Sequence, residues 1–129
     1  MRILVEDDNT AICGLVREIL EFEGHTVVEA HNGVQGIQLF RRLGADLILC
    51  DIFMPECDGL ELILELRREF PDLTIIAMSG TLYGGTVNML SVARHFKATE
   101  VLQKPFDRTT LLAVIKKAVH NAQPNASTG

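Results

Sequence analysis

The chain alternates between two periodicities: short apolar runs that stop at turn formers, and longer stretches with apolar residues at helical spacing. Arg2-Ile3-Leu4-Val5 is a run of the first kind, stopped by Glu6-Asp7-Asp8-Asn9. Ile12, Leu15, Val16, Ile19 and Leu20 then follow the helical period, with Asn9 or Thr10 as N-cap and Gly24 as the stop. A second strand is predicted over His25–Ala30. A second helix follows over Gly33–Leu43, carries Val34, Ile37, Leu39 and Phe40, and ends at Gly44. Leu47-Ile48-Leu49-Cys50 passes straight into Asp51 and predicts a third strand, buried on both faces. Asp58 caps a third helix, Leu60–Phe70, which Pro71-Asp72 breaks. Leu73–Met78 reads as the fourth strand and ends at Ser79-Gly80. A glycine-rich loop holding Tyr83 leads to a weaker fourth helix, Val87–Phe96. Glu100–Gln103 is the fifth strand, closed by Lys104-Pro105-Phe106. The last helix starts at Asp107 or Thr109 and runs to about His120.

Strands alternating with helices build a parallel sheet covered on both faces. Right-handed crossovers narrow the topology to an α/β, doubly wound, flavodoxin-like five-stranded sheet of order 2-1-3-4-5. Residues 1–121 form one domain and residues 122–129 a flexible tail. That order reverses between strands 1 and 3, where ligands bind outside the carboxyl ends of the strands. Glu6-Asp7-Asp8 ends strand 1 and Asp51 ends strand 3, so separate sets of carboxylates meet in one crevice.

Composition narrows the choice of partners. With 129 residues, 47% of them hydrophobic, the chain can bury a substantial core. A net charge of −5 argues against direct nucleic-acid binding, which wants a basic face. No stretch is long enough for a transmembrane helix, and Met1 leads directly into a strand, so a cytoplasmic location without membrane insertion is expected. The cysteines, Cys13, Cys50 and Cys57, show no paired spacing and read as free thiols with no special role. His25, His31, His95 and His120 are scattered, with no zinc-ligand spacing among them.

Carboxylates converging without basic neighbours repel one another, and a hard cation relieves them. Oxygen ligands in an open site suit Mg²⁺, which commonly bridges to phosphate. Ser79, ending strand 4, can bond a phosphoryl oxygen, and Lys104, ending strand 5, can neutralise another. Both are expected at exposed strand ends with little role in the fold. An Asp51 oxygen is then the nucleophile toward phosphorus.

Together, the acids after strand 1, Asp51 followed by Met54-Pro55-x-x-Asp58-Gly59, Ser79-Gly80, and Lys104-Pro105-Phe106 closely resemble the receiver domain of two-component response regulators. The resemblance covers residues 2 to about 121 and suggests a stand-alone, chemotaxis-regulator-like receiver. It implies that Asp51 accepts a phosphoryl group from a histidine kinase or phosphotransfer protein. It also implies Mg²⁺ held by Asp8, Asp51 and the Phe53 backbone carbonyl, with Asp7 acting mainly through water. Its register makes Asp7 and Asp8 the acidic pair and leaves Glu6 at a position usually apolar. By the same resemblance the module catalyses only its own phosphorylation and dephosphorylation. A downstream protein would dock on the face of the fourth helix, fifth strand and last helix, and phosphorylation-dependent homodimerisation is compatible with this.

The chain departs from the family pattern at Val101, where receivers usually carry Tyr or Phe. The switch is therefore expected to run from Ser79 into the 81–86 loop and Tyr83, with Val101 too short to swing. Two competing readings stand beside this one. A pseudo-receiver would keep the fold without phosphorylation. A haloacid-dehalogenase-type aspartyl-phosphate hydrolase wants a second acid at position 53, where this chain has Phe53.

Overall fold

The computed structural model describes residues 1–52, 58–80 and 98–121, the side chains of residues 58–63 excepted. Its strands are β1 (Arg2–Glu6), β2 (Thr26–Ala30), β3 (Leu47–Asp51), β4 (Thr74–Ser79) and β5 (Glu100–Gln103). They form one parallel sheet of order β2-β1-β3-β4-β5. The described helices are α1 (Thr10–Phe22), α2 (Gly33–Leu43), α3 (Asp58–Glu69) and α4 (Arg108–Asn121). The predicted helix over 87–96, the Tyr83 loop, Phe53 and the 122–129 tail lie outside the described residues.

Successive side chains of a strand point to opposite faces, and this alternation sorts the core into two layers. Ile3, Val5, Leu47, Leu49, Ile76 and Met78 face α1 and α4, where Val16, Leu20, Leu111 and Ile115 meet them. Leu4, Ile48, Cys50, Ile75 and Ala77 face α2 and α3 through Phe40 and Leu66. Every residue of β3 and β4 is buried, as expected for central strands covered on both sides.

The helix ends follow their capping residues. Asn9 is the N-cap of α1, its side-chain oxygen accepting from the backbone N–H groups of Ala11 (2.9 Å) and Ile12 (3.2 Å). At the other end His25 N–H donates to Leu20 O and Gly24 N–H to Glu21 O, with Gly24 at φ +91°. This is a Schellman stop, and it takes His25 out of the strand, so β2 begins one residue later than predicted. Asp107, rather than Thr109, caps α4 by accepting from Thr110 N–H at 2.8 Å.

The largest difference from expectation is at the end of β1. The strand does not stop before the acids but continues through Glu6, which pairs with Ala30 on one side and Cys50 on the other. Glu6 is fully buried. Its Oε2 accepts from the Cys50 thiol at 3.0 Å, so a polar pair fills a place in the layer beneath α2 and α3. Burial, then the nearby Glu6 carboxylate, pushes the Cys50 thiol well above its usual range.

The central strands should carry much of the stability. Leu49→Ala is expected to cost about 2–5 kcal/mol, the range for truncating a fully buried leucine. Val34→Ala, on an exposed position of α2, should stay within about 0.5 kcal/mol. Urea denaturation of both variants checks the contrast.

Candidate functional site

Four strand ends converge at the carboxyl edge of the sheet. Asp7 directly follows β1, Asp51 ends β3, Ser79 ends β4 and Lys104 directly follows β5. The ladder continues beyond Asp51, since Ile52 N–H donates to Met78 O at 3.1 Å. Lys104 N–H donates to Ser79 O at 2.6 Å, which ties the β5 end to the β4 end, and the Lys104–Pro105 peptide is cis.

Lys104 Nζ lies 2.6 Å from Asp7 Oδ2 and 3.2 Å from Asp51 Oδ2. Asp7 Oδ1 accepts from Asn9 N–H at 2.9 Å, so the residue that caps α1 also helps hold Asp7. Asp7 is fully buried, Asp51 nearly so, and Asp8 is exposed. Carboxylate oxygens of Asp7, Asp8 and Asp51 all lie within 4.8 Å of one another. Three carboxylates therefore face one ammonium, leaving formal negative charge in a space lined by hard oxygen donors. That donor set suits a hard divalent cation.

Burial raises the Asp7 carboxyl above the usual carboxylate range. The Lys104 and Asn9 hydrogen bonds offset this in part, and the Asp51 charge adds to it. For Lys104, burial is the largest single influence and acts downward. The hydrogen bond to Asp7 and the charges of Asp51 and Asp7 together outweigh it, and the net shift is upward.

Two expectations need correction. Ser79 is fully buried rather than exposed, because β4 is covered on both faces through its last residue. Lys104 is not a solvated strand-end cation: its side chain is only 19% exposed and it bridges two buried acids. Val101 sits on β5 beside Ala77, half-buried against the α2/α3 layer. Phe53 and Tyr83, the other two residues singled out, lie outside the described residues.

The description "Response regulator receiver domain" matches residues 3–116. The chain belongs to the response-regulator receiver family. "Response regulator MprA" of Mycobacterium avium (strain 104) is 32% identical over 124 residues, which cover 96% of this chain and 53% of that protein. The protein of the same name from Mycobacterium leprae (strain TN) is 32% identical over 125 residues, 97% of this chain and 54% of that one. The receiver thus spans about half the length of these curated relatives. Among solved structures, the CheY-like receiver domain protein from Methanospirillum hungatei JF-1 superposes with a TM-score of 0.81 at 29% identity, covering 97% of this chain and 98% of that one. NtrX from Brucella abortus gives a TM-score of 0.87 at 27% identity, covering 98% of this chain and 28% of that one. Receivers are signalling modules of two-component systems and interact with histidine kinases and downstream effectors. Among the described residues, no helix is long and apolar enough to cross a membrane.

A second group of ligand-type side chains was not singled out from the sequence. Cys13, Glu29 and His31 also bring ligand atoms within 4.8 Å of one another, beside the Asp7 carbonyl oxygen. The only signal available was residue type, since the three lie on different elements with no recognisable spacing.

Removing Lys104 takes away the one ammonium that the two buried carboxylates share. Lys104→Ala should destabilise the metal-free receiver by about 1–3 kcal/mol, below the full cost of breaking a buried pair because Lys104 keeps some solvent contact. The pH dependence follows from the shifts. Lys104 is raised, so its contribution persists through neutral pH and is lost only as pH climbs through its folded-state value, above 10.5. Asp7 is also raised, so the folded form binds its proton more tightly, and stability falls as pH rises through the Asp7 folded-state value. Urea melts of wild type and Lys104→Ala across pH check both signs.

Proposed function

We propose that this receiver takes a phosphoryl group from a histidine kinase or phosphotransfer protein onto Asp51, and that the modified state changes its binding to a downstream protein. The observation that carries this reading is the Asp7–Lys104–Asp51 triangle at the carboxyl edge of β1, β3 and β5. A carboxylate oxygen of Asp51 attacks phosphorus, an O–P bond forms, and the P–N bond to the donor imidazole breaks. Lys104 follows the charge, moving from carboxylate partner to phosphoryl-oxygen partner as the group arrives. Ser79, ending the neighbouring strand, supplies a hydroxyl for another phosphoryl oxygen.

Asp8 and Asp51 are the residues that would hold Mg²⁺, with the Phe53 carbonyl as a further donor and Asp7 acting through water. When bound, Mg²⁺ neutralises charge on the transferring group. Asp7, buried and bonded to Lys104 and Asn9, keeps the lysine aimed into the site. The hydrolase alternative lacks an acid at position 53 to protonate a leaving group.

Val101, half-buried and β-branched, is stiff at χ1 and too short to act as a swinging aromatic. The signal would then run from Ser79 into residues 81–86 and Tyr83. The partner face would include β5 and α4, between which an open groove of about 420 Å³ is lined by Val101, Gln103, Pro105, Thr110 and Val114.

Incubation with acetyl phosphate and Mg²⁺, followed by intact-mass measurement, tests the reading. Wild type should gain one phosphoryl mass. Asp51→Asn should gain none, and Asp8→Ala should be slowed at least tenfold (about 1.4 kcal/mol) and need more Mg²⁺. An adduct that persists on Asp51→Asn would sink the assignment.

A further inference from the structure

We propose that Cys13, Glu29 and His31 form a binding site for a thiophilic divalent cation such as Zn²⁺, separate from the acidic pocket and independent of the phosphorylation reading. The three residues come from different elements. Cys13 lies on α1, Glu29 on β2, and His31 directly after β2. Their sulfur, oxygen and nitrogen atoms all fall within 4.8 Å of one another.

One edge of the group is close to what a single ion spans. Cys13 Sγ and His31 Nδ1 are 4.0 Å apart, about 0.5 Å wider than the roughly 3.5 Å edge that ordinary Zn–S and Zn–N bonds span in a tetrahedral site, so a small side-chain adjustment brings both onto one ion. The Asp7 carbonyl oxygen borders the same space, 3.4 Å from each of those atoms. Three protein ligands leave a fourth position for water or for that carbonyl, the arrangement of an open zinc site.

Outer contacts support the ligands. The Arg17 guanidinium holds Glu29 Oε2 at 3.0 Å and donates to Val27 O at 2.9 Å, an outer partner of the kind that orients ligating carboxylates. The His31 backbone N–H donates to Gln35 Oε1 at 2.7 Å, which fixes the residue against the start of α2. Cys13 is fully buried, whereas Glu29 and His31 are half-buried, so the cluster has an approach from solvent.

Donor chemistry separates the two clusters. Asp7, Asp8 and Asp51 offer only oxygen, which favours Mg²⁺, whereas a thiol and an imidazole favour zinc, cobalt or copper. In the metal-free chain burial, followed by the charges of Asp7 and Glu29, pushes the Cys13 thiol up to about 12. As the metal–sulfur bond forms, the S–H proton leaves to solvent.

Cobalt is the probe for the experiment. The reduced full chain, with excess Mg²⁺ to occupy the acidic pocket, is titrated with Co²⁺ under argon. One equivalent should develop a near-ultraviolet sulfur-to-cobalt charge-transfer band, and Zn²⁺ should abolish it. The band should be absent in Cys13→Ser and in His31→Ala. Zn²⁺ affinity, read by chelator competition, should drop at least about 100-fold in His31→Ala, since loss of even an outer partner costs roughly 10- to 100-fold. Circular dichroism checks that each variant folds, and the half-buried His31 carries the test if Cys13→Ser does not. No band in wild type, or a band that survives in folded His31→Ala, overturns the proposal.

Discussion

The site depends on one ammonium group shared by two buried carboxylates. Asp7 is fully buried, and a charged carboxylate in that position is costly without a partner. Lys104 supplies the partner from 97 residues away and reaches Asp51 with the same nitrogen. The arrangement is balanced for exchange rather than rest, because one cation cannot satisfy all the negative charge around it.

The three consecutive acids at the end of β1 show how strand geometry gives neighbours different roles. Glu6, the last residue of the strand, meets Cys50 in the layer under α2 and α3. Asp7 turns its carboxylate to Lys104 and its carbonyl to Cys13 and His31. Asp8 is exposed at the mouth of the crevice. Asp7 is therefore common to both clusters: its side chain belongs to the oxygen-rich pocket, and its peptide borders the sulfur–nitrogen group.

Membership of the receiver family accounts for the architecture, and two residues within it stand out. Glu6 is a fully buried acid in the sheet and is accommodated by a thiol donor on the adjacent strand. Val101 gives the α2/α3 layer a short, stiff side chain at β5. These two residues fall on opposite sides of Asp51 in the sheet, one strand toward β1 and two toward β5.

Much of the fold was legible because the relevant forces are local. Apolar runs ended by turn formers, caps such as Asn9 and Asp107, and glycine stops at Gly24 and Gly44 act over a few residues. Parallel order followed from the alternation of strands and helices, and with it the meeting of Asp7, Asp8 and Asp51 at the switch point. What the sequence could not supply was burial and reach. Whether Glu6 ends a strand or starts a loop depends on its register partners Ala30 and Cys50. Whether Ser79 and Lys104 are exposed depends on what covers β4 and on which acids lie within the length of a lysine. The Cys13–Glu29–His31 group was invisible for the same reason: a helix and a neighbouring strand bring its atoms together only when α1 packs on the sheet.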